Sequence, residues 1–137
     1  MKRVLAPLLL VVALVAIAAV GYWLKRPAEA IAVNCADPLA GCTLIHRGAP
    51  ASVRFQTRPV PMQAFGLVVT APGASKISAE FQMLGMEMGF NRYDLRPGKP
   101  GEFSAQITLP VCVSGQSRWM LYIDIDGIRY ALPFSAR

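Results

Sequence analysis

Three methionines lie within six positions of the chain, inside the segment Phe81–Tyr93. They are Met83, Met86 and Met88, half of the six methionines in the protein. In an extended segment Met86 and Met88 point to the same side, because side chains along a strand alternate with a period of two. Thioether sulfur is a soft ligand that suits Cu(I), so this pair, with Cys112 as a third sulfur, is a candidate Cu(I) site. The competing interpretation is packing, because methionine is a flexible core residue that packs well on aromatic rings.

The three cysteines bear on the compartment that holds the chain. Cys35 and Cys42 enclose a short loop with proline and glycine, which can close through a disulfide in an oxidising compartment. The sequence allows three single pairings among Cys35, Cys42 and Cys112, and it also allows three reduced thiols. We expect the Cys35–Cys42 disulfide, which leaves Cys112 as a free thiol.

Residues suited to catalysis are sparse. His46 is the only histidine, which excludes a metal centre built from several histidines of one chain. A Ser-His-Asp or Cys-His arrangement needs His46 as its base, and no nucleophile-elbow motif accompanies it. Asp124 and Asp126 lie two apart, but they flank a predicted hairpin turn whose chemistry explains both. We therefore expect no enzyme, and we interpret His46 as a polar residue of an edge strand.

The charge of the chain argues against nucleic acid as a partner. The chain carries a net charge of +6, but four of its basic residues flank the apolar N-terminal segment. From Ile31 onward ten Lys and Arg residues stand against seven Asp and Glu residues, a net charge of +3. These basic residues are scattered, whereas a nucleic-acid surface needs a clustered basic patch with aromatic side chains. We expect a solvated surface and no nucleic-acid partner.

The element that locates the whole chain is an unbroken apolar run, Val4–Leu24. About 20 residues at ~1.5 Å each span the ~30 Å hydrocarbon core of a bilayer. Lys2 and Arg3 precede the run, and Lys25 and Arg26 follow it. With the terminal amine added, the positive-inside rule slightly favours a cytoplasmic N-terminus. We expect a single-pass anchor in the inner membrane, with the lipid bilayer as a partner and the following domain in the periplasm.

A cleaved signal peptide is the alternative interpretation of the same run. The apolar region of a signal peptide is usually about 7–15 residues, shorter than this one. Tyr22 and Trp23 at the far end suit the membrane interface. The pattern Ala28-Glu29-Ala30 would nonetheless serve a signal peptidase. We expect an uncleaved anchor.

Beyond the run the apolar period changes to two, which is typical of β-strands. In Lys76–Met83, for example, Ile77 and Met83 belong to the buried face and Glu80 to the exposed face. Asp126-Gly127 predicts a two-residue hairpin turn, because glycine accepts the positive φ of a type I′ turn. Strands with this spacing predict an all-β, antiparallel β-sandwich of seven or eight strands. The predicted strands are 52–57, 65–71, 76–83, 91–96, 102–109, 118–125 and 128–134, with an eighth, short strand at 43–46.

The chain therefore divides into three parts. We expect an N-terminal transmembrane anchor at 1–26, a tether with the cysteine loop at 27–42, and a periplasmic β-sandwich domain at 43–137. No internal repeat and no second domain is evident. The domain of about 100 residues is large enough for a single hydrophobic core.

Several short motifs carry a resemblance to a known group. They are Met86–Gly89, followed by Asn91–Tyr93, the Leu-Pro-x-Cys of Leu109–Cys112, and the strand that contains Trp119. Over about 65–134, and in its anchor, the chain resembles the membrane-anchored YtkA-like and FixH-like proteins and, more distantly, the CopC-like copper-binding sandwiches. The resemblance implies an extracytoplasmic immunoglobulin-like sandwich that handles copper or assembles cytochrome oxidase. This chain departs from copper-binding sandwiches that use an N-terminal histidine or several histidines, because it has only His46. The departure argues against a Cu(II) site and leaves the methionine-based Cu(I) site.

The sequence is compatible with two functions. In the first, the domain is a periplasmic accessory module that binds or passes copper for oxidase assembly. In the second, it is a metal-free structural or assembly subunit of an inner-membrane protein complex, held beside it by the helix. Tethering serves both functions, because it raises the effective concentration of the domain near a membrane partner.

Overall fold

The computed structural model describes residues 1–26, 29–85, 91–111 and 117–136. Helix α1 spans Lys2–Lys25, and none of its residues is buried. Its most apolar window has a mean hydropathy of 2.9, so by length and composition this helix can cross a membrane. Apolar side chains cover every face of α1, which is typical of a helix surrounded by an apolar medium.

The described residues after α1 form ten strands joined by turns and loops. The strands are β1 Ile31–Ala32, β2 Cys42–His46, β3 Ala49–Phe55, β4 Phe65–Thr70, β5 Ile77–Met83, β6 Arg92–Asp94, β7 Arg96–Pro97, β8 Glu102–Ile107, β9 Arg118–Ile125 and β10 Ile128–Ser135. The first sheet has the order β1-β10-β9-β5-β6, and the second sheet has the order β2-β3-β4-β8-β7. All neighbours are antiparallel except β1 and β10. The predicted mostly-β, two-sheet architecture after one apolar helix is therefore confirmed.

The strand number differs from the predicted seven or eight. The predicted strand at 91–96 is two short strands, because the chain passes from the first sheet to the second at Leu95. The Leu95 N–H still donates to the Ile77 carbonyl oxygen of the first sheet, at 3.0 Å, whereas Arg96 already pairs with Ser104 of the second. Residues 31–32, within the predicted tether, add a further strand beside β10.

Aromatic rings from both sheets interlock in the core. Phe55 and Phe134 come from opposite sheets, and their ring centroids lie 5.1 Å apart in an edge-to-face arrangement. Phe65 and Phe81 form a second such pair across the sandwich at 6.2 Å. Aromatic pairs prefer this geometry, because the positive edge of one ring meets the negative face of the other. Trp119 is fully buried beside these rings and stacks on Phe134.

Two hairpin turns meet at one end of the sandwich, which we call the turn end. Arg47-Gly48 joins β2 to β3, and Asp126-Gly127 joins β9 to β10. All four residues have positive φ, from 47° to 88°, as a type I′ turn requires. The Arg47 guanidinium donates to the Asp126 carbonyl oxygen at 3.3 Å, which ties the two sheets together.

The opposite end holds the cysteine loop 35–42, the connection 56–64 and the residues 109–111, and we call it the cysteine end. The Phe55 N–H donates to the Pro38 carbonyl oxygen at 3.0 Å. The Met62 N–H donates to the Leu109 carbonyl oxygen at 2.8 Å. These backbone bonds attach the cysteine loop to β3 and the 56–64 connection to the residues after β8.

Candidate functional site

The three predicted Cu(I) ligands lie outside the described residues. Met86 and Met88 belong to 86–90, and Cys112 belongs to 112–116. The residues that border these two segments are described. The Leu84 N–H donates to the Arg118 carbonyl oxygen at 3.1 Å. The described residue two positions before Met86 and the described residue six positions after Cys112 therefore lie side by side at the cysteine end.

Two described residues next to the methionine segment are informative. Met83 is 3% exposed and lies in the core, as its phase with Ile77 predicts. The side-chain nitrogen of Asn91 is buried and has no hydrogen-bond partner among the described residues. A buried donor without an acceptor is unfavourable by about 1–3 kcal/mol, so Asn91 is an unusual residue at the border of the candidate site.

The predicted cysteine pair comes together. The Cα atoms of Cys35 and Cys42 lie 5.4 Å apart, and the two sulfurs are at bonding distance. This Cα separation falls within the range of ordinary disulfides. Cys42 begins β2 and is 3% exposed, whereas Cys35 is half-buried against the core. The structure is thus consistent with the Cys35–Cys42 disulfide, and Cys112 lies outside the described residues.

The loop between the two cysteines is held by its own hydrogen bonds. Leu39 N–H donates to the Asp37 carboxylate at 3.0 Å. Gly41 N–H donates to the Asp37 carbonyl oxygen at 3.2 Å. With the bond from Phe55 to Pro38, these contacts fix the loop in one conformation over β3. Asp37 therefore has a structural role as the capping residue of a tight turn.

His46 ends the edge strand β2, as predicted, but it is buried. The residue is only 6% exposed, and its Nδ1 atom forms a 2.7 Å hydrogen bond with the hydroxyl of Tyr130. Burial raises the pKa of the Tyr130 phenol, so its proton is retained for this hydrogen bond. Because Tyr130 belongs to β10, the pair joins the two sheets near the turn end. Among the described residues, no three His, Cys, Asp or Glu side chains converge to hold a metal ion.

Asp126 and Asp124 both form stabilising contacts near the turn end. The Asp126 carboxylate accepts hydrogen bonds from the N–H groups of Lys76, at 2.8 Å, and Ser75, at 3.0 Å. These two donors hold the pKa of Asp126 below its ordinary value. Asp124 instead pairs with the Arg129 guanidinium at 3.5 Å. Asp126 thus has a structural role at the turn, as the sequence pattern indicates, whereas Asp124 is held by an ion pair between the paired strands β9 and β10.

The outer face of the first sheet carries a charged cluster that the sequence did not reveal. Arg129 lies between Glu80, at 3.0 Å, and Asp124, and its guanidinium carbon is 4.3 Å from the centre of the Tyr122 ring. Arg92 donates to the Ser78 hydroxyl at 3.0 Å and covers it. Because Glu80 on β5 lies 49 positions from Arg129 on β10, no local pattern indicates that this pair meets.

A cavity of about 210 Å³ opens at the cysteine end. The cysteine loop forms one wall with Pro38 and Leu39, and Phe55 and Phe134 contribute aromatic surface. Arg58 adds a guanidinium to the lining. No local sequence pattern predicts this cavity, because three separate stretches of the chain build it. The only local signal was the high proline content of loops 35–42 and 56–64.

Exposed apolar side chains are concentrated at the same end. Met62 is 66% exposed and Val111 is 64% exposed. Leu39 and Leu84 are 38% and 37% exposed. Met62 also has a positive φ of 64°, a strained conformation for a residue other than glycine. Strain and exposed apolar surface together mark the cysteine end as the candidate functional surface.

Comparison with protein-family models, with curated proteins and with solved structures found no match to this chain.

Proposed function

We propose that this protein is a membrane-anchored periplasmic accessory protein that binds or passes copper for the assembly of cytochrome oxidase. The observation that carries the proposal is the backbone hydrogen bond between Leu84 and Arg118. Leu84 lies two positions before Met86, and Arg118 lies six positions after Cys112, so the bond brings the borders of the two sulfur-containing segments together. Two thioethers and a thiol form a soft ligand set of the kind that Cu(I) prefers. The chain has no catalytic step in this proposal.

The proposed location rests on the helix and the cysteine pair. Helix α1 supports a single-pass anchor in the inner membrane, because no part of the described domain covers its apolar surface. The Cys35–Cys42 pair suits an oxidising compartment and hence a domain in the periplasm, with the N-terminus in the cytoplasm. N-terminal sequencing of the protein recovered from membranes tests the anchor. A sequence that begins at Met1 supports it, and one that begins after Ala30 identifies a cleaved signal peptide.

We further propose an immunoglobulin-like topology for the sandwich and a relationship to the YtkA-like and FixH-like group. The support is the order of one apolar helix and two face-to-face sheets, together with the motifs at Met86–Gly89 and Leu109–Cys112. An experimental structure of the full chain tests the topology.

Titration of the full chain with Cu(I) in detergent micelles tests the copper proposal. Ascorbate keeps the copper reduced and leaves the Cys35–Cys42 disulfide intact, so these thiols do not compete as ligands. A competing chelator sets the free Cu(I) concentration. We expect the M86L/M88L variant to bind at least about tenfold more weakly than wild type, a difference of about 1.4 kcal/mol. We expect Cys112→Ser to weaken binding in the same direction.

The matched control removes two methionines elsewhere. The M62L/M120L variant keeps the same number of thioethers as the M86L/M88L variant, but it changes none of the candidate ligands. It should bind Cu(I) as wild type does. Equal binding by the Met86/Met88 variant and by wild type would contradict the proposed site.

The second candidate function is a metal-free assembly subunit of an inner-membrane complex. The exposure of Met62 and Val111 at the cysteine end favours it, because clustered apolar side chains in solvent usually mark a contact surface. The same titration separates the two candidates. Wild-type binding no tighter than about 1 μM, equivalent to about 8 kcal/mol, supports the metal-free subunit.

A further inference from the structure

The cavity at the cysteine end has a composition that points to a class of occupant. Phe55 and Phe134 are 2% and 7% exposed, so they lie deep in the domain. Pro38 and Pro59 add rigid apolar surface, and Leu39 is the exposed apolar residue of the wall. An apolar cavity with an exposed apolar residue on its wall is suited to a bulky apolar group that arrives from solvent.

The walls of the cavity are already in place without an occupant. The Phe55 N–H donates a hydrogen bond to the Pro38 carbonyl oxygen at 3.0 Å. The Leu39 N–H donates one to the Asp37 carboxylate at 3.0 Å. The pair Cys35 and Cys42 closes the base of the same loop. A preformed cavity binds with a smaller entropic cost than a surface that must first become ordered.

The size of the cavity selects among occupants. Sites for whole small-molecule ligands are usually about 300–1,000 Å³. The cavity is smaller, about 210 Å³, and suits one side chain rather than a cofactor or a drug-sized metabolite. Interfaces between proteins commonly place one aromatic or aliphatic anchor in such a pocket.

Charge adds a second element of recognition. Arg58 lines the cavity, is exposed, and forms no ion pair with any described residue. Asp37 also lines it, but one of its carboxylate oxygens already accepts the Leu39 N–H. Guanidinium groups pair well with carboxylates, frequently through two parallel hydrogen bonds. An acidic residue next to the anchor would therefore meet Arg58.

We propose that this cavity is an anchor pocket for a protein partner, which inserts one aromatic side chain and places a neighbouring carboxylate on Arg58. The inference is independent of copper, since none of the lining residues is a candidate Cu(I) ligand. It therefore stands or falls separately from the copper titration. It assigns a partner of stated chemistry, an acidic segment with an aromatic residue, to the cysteine end.

Nuclear magnetic resonance of the full chain in detergent micelles tests the proposal with four probes. They are the blocked dipeptides acetyl-Phe-Asp-amide, acetyl-Phe-Lys-amide and acetyl-Ala-Asp-amide, and free phenylacetate. We expect saturable shifts of the Leu39 methyl and Phe134 ring signals with the Phe-Asp peptide, at a Kd near 1 mM, about 4 kcal/mol of binding free energy. The Phe-Lys and Ala-Asp peptides should each bind at least about threefold more weakly.

Two variants locate the contact. Arg58→Gln should lower the affinity for the Phe-Asp peptide about threefold and raise the affinity for the Phe-Lys peptide slightly, because it removes a like charge, so that the two peptides bind about equally. Leu39→Ala should lower the affinity for both of the peptides that contain phenylalanine. Ile45→Ala is the matched control, because Ile45 is also an exposed aliphatic residue, at 64%, but lies on the outer face of β2 away from the cavity. All three positions are exposed, so the fold should be retained.

Several results would overturn the proposal. The absence of saturable shifts up to about 10 mM peptide would exclude the pocket as a binding site, since a Kd of about 10 mM corresponds to only about 3 kcal/mol of binding free energy. Equal affinity for the Phe-Asp and Ala-Asp peptides would exclude an aromatic anchor, and equal affinity for the Phe-Asp and Phe-Lys peptides would exclude the role of Arg58. Tighter binding of phenylacetate than of the Phe-Asp peptide would identify a small-molecule site and exclude a protein segment.

Discussion

The two ends of the sandwich are closed by different chemistry. At the turn end, polar groups meet one another: Arg47 bonds to the Asp126 backbone, the Asp126 carboxylate accepts two N–H groups, and His46 bonds to Tyr130. At the cysteine end, a disulfide-distance pair closes a loop, but apolar side chains such as Met62 remain in water. Satisfied polar contacts stabilise a fold, whereas exposed apolar surface is unfavourable unless a partner covers it.

The difference separates stability from function in this small domain. Residues of the turn end are explained by the contacts they make within the chain. At the cysteine end, by contrast, Met62 and Val111 are 66% and 64% exposed, and Met62 has a strained φ. We therefore expect substitutions at the turn end to change the free energy of unfolding, and exposed substitutions at the cysteine end to change binding.

Among the contacts that distinguish the two ends, the largest expected effect concerns the disulfide, the covalent contact of the cysteine end. The Cys35→Ser/Cys42→Ser variant should lose about 2.5 kcal/mol of unfolding free energy, because an open loop gives the unfolded chain more conformational entropy. Denaturant unfolding of the full chain in detergent micelles, with and without reductant, measures this. Reductant should destabilise wild type and leave the double variant unchanged.

The cysteine alternatives are distinguished in the same measurement. Cys112→Ser should leave the free energy of unfolding unchanged if Cys35 pairs with Cys42. A loss on Cys112→Ser as large as that of the double variant would instead indicate a pairing that involves Cys112. A wild-type protein insensitive to reductant would contradict a disulfide altogether.

The next effect is at the turn end. Tyr130→Phe removes the hydroxyl that bonds to the buried His46 and should lower the free energy of unfolding by about 1–3 kcal/mol. Tyr122→Phe, on the outer face of the first sheet, is the matched control and should stay within about 0.5 kcal/mol of wild type. Equal effects of the two variants would mean that the His46 contact does not stabilise the fold.

A smaller effect should appear only in acid. The pKa of Asp126 is lowered in the folded state, so its stabilising contribution is fully present above the unfolded-state pKa of about 3.9 and is lost as the pH falls through the folded-state pKa. Asp126→Asn should remove this part of the acid dependence. Unfolding curves between about pH 5 and pH 2 measure it. An identical acid dependence in wild type and variant would contradict a role for the Ser75 and Lys76 donors.

The smallest effect on stability should come from the exposed face of the cysteine end. Met62→Ser and Val111→Ser should each change the free energy of unfolding by less than about 0.5 kcal/mol. Met83→Ala is the buried counterpart, at 3% exposure in wild type, and should lose about 2–5 kcal/mol. A large loss at Met62 would show that its contacts within the chain matter, and would weaken the distinction between the two ends.

Local pattern accounts for much of the fold. Strands β9 and β10 follow their predicted alternation, since burying one face of a pleated strand requires apolar residues at every second position. Strand β5 follows it except at Ser78, which is 3% exposed because Arg92 covers it. The Asp126-Gly127 turn and the Cys35–Cys42 pair were also accessible, because each depends on residues close together in the chain. The predicted sulfur ligands Met86, Met88 and Cys112 lie outside the described residues and stay a prediction.

Other features depend on residues that are distant in sequence. The split of the predicted strand 91–96 follows from the passage of Leu95 between sheets, which no alternation pattern contains. The burial of His46 requires Tyr130, which is 84 positions away.

Apolar alternation and glycine turns are short-range properties, so the chain itself specified an anchor-length helix, the strands and the hairpins. The cavity lined by Leu39, Arg58 and Phe134 arises only when two sheets and a loop are packed together. The same holds for the contrast between a polar end and an apolar end. Shape and electrostatic environment are produced by contacts between distant segments, and only the tertiary structure decides which segments meet.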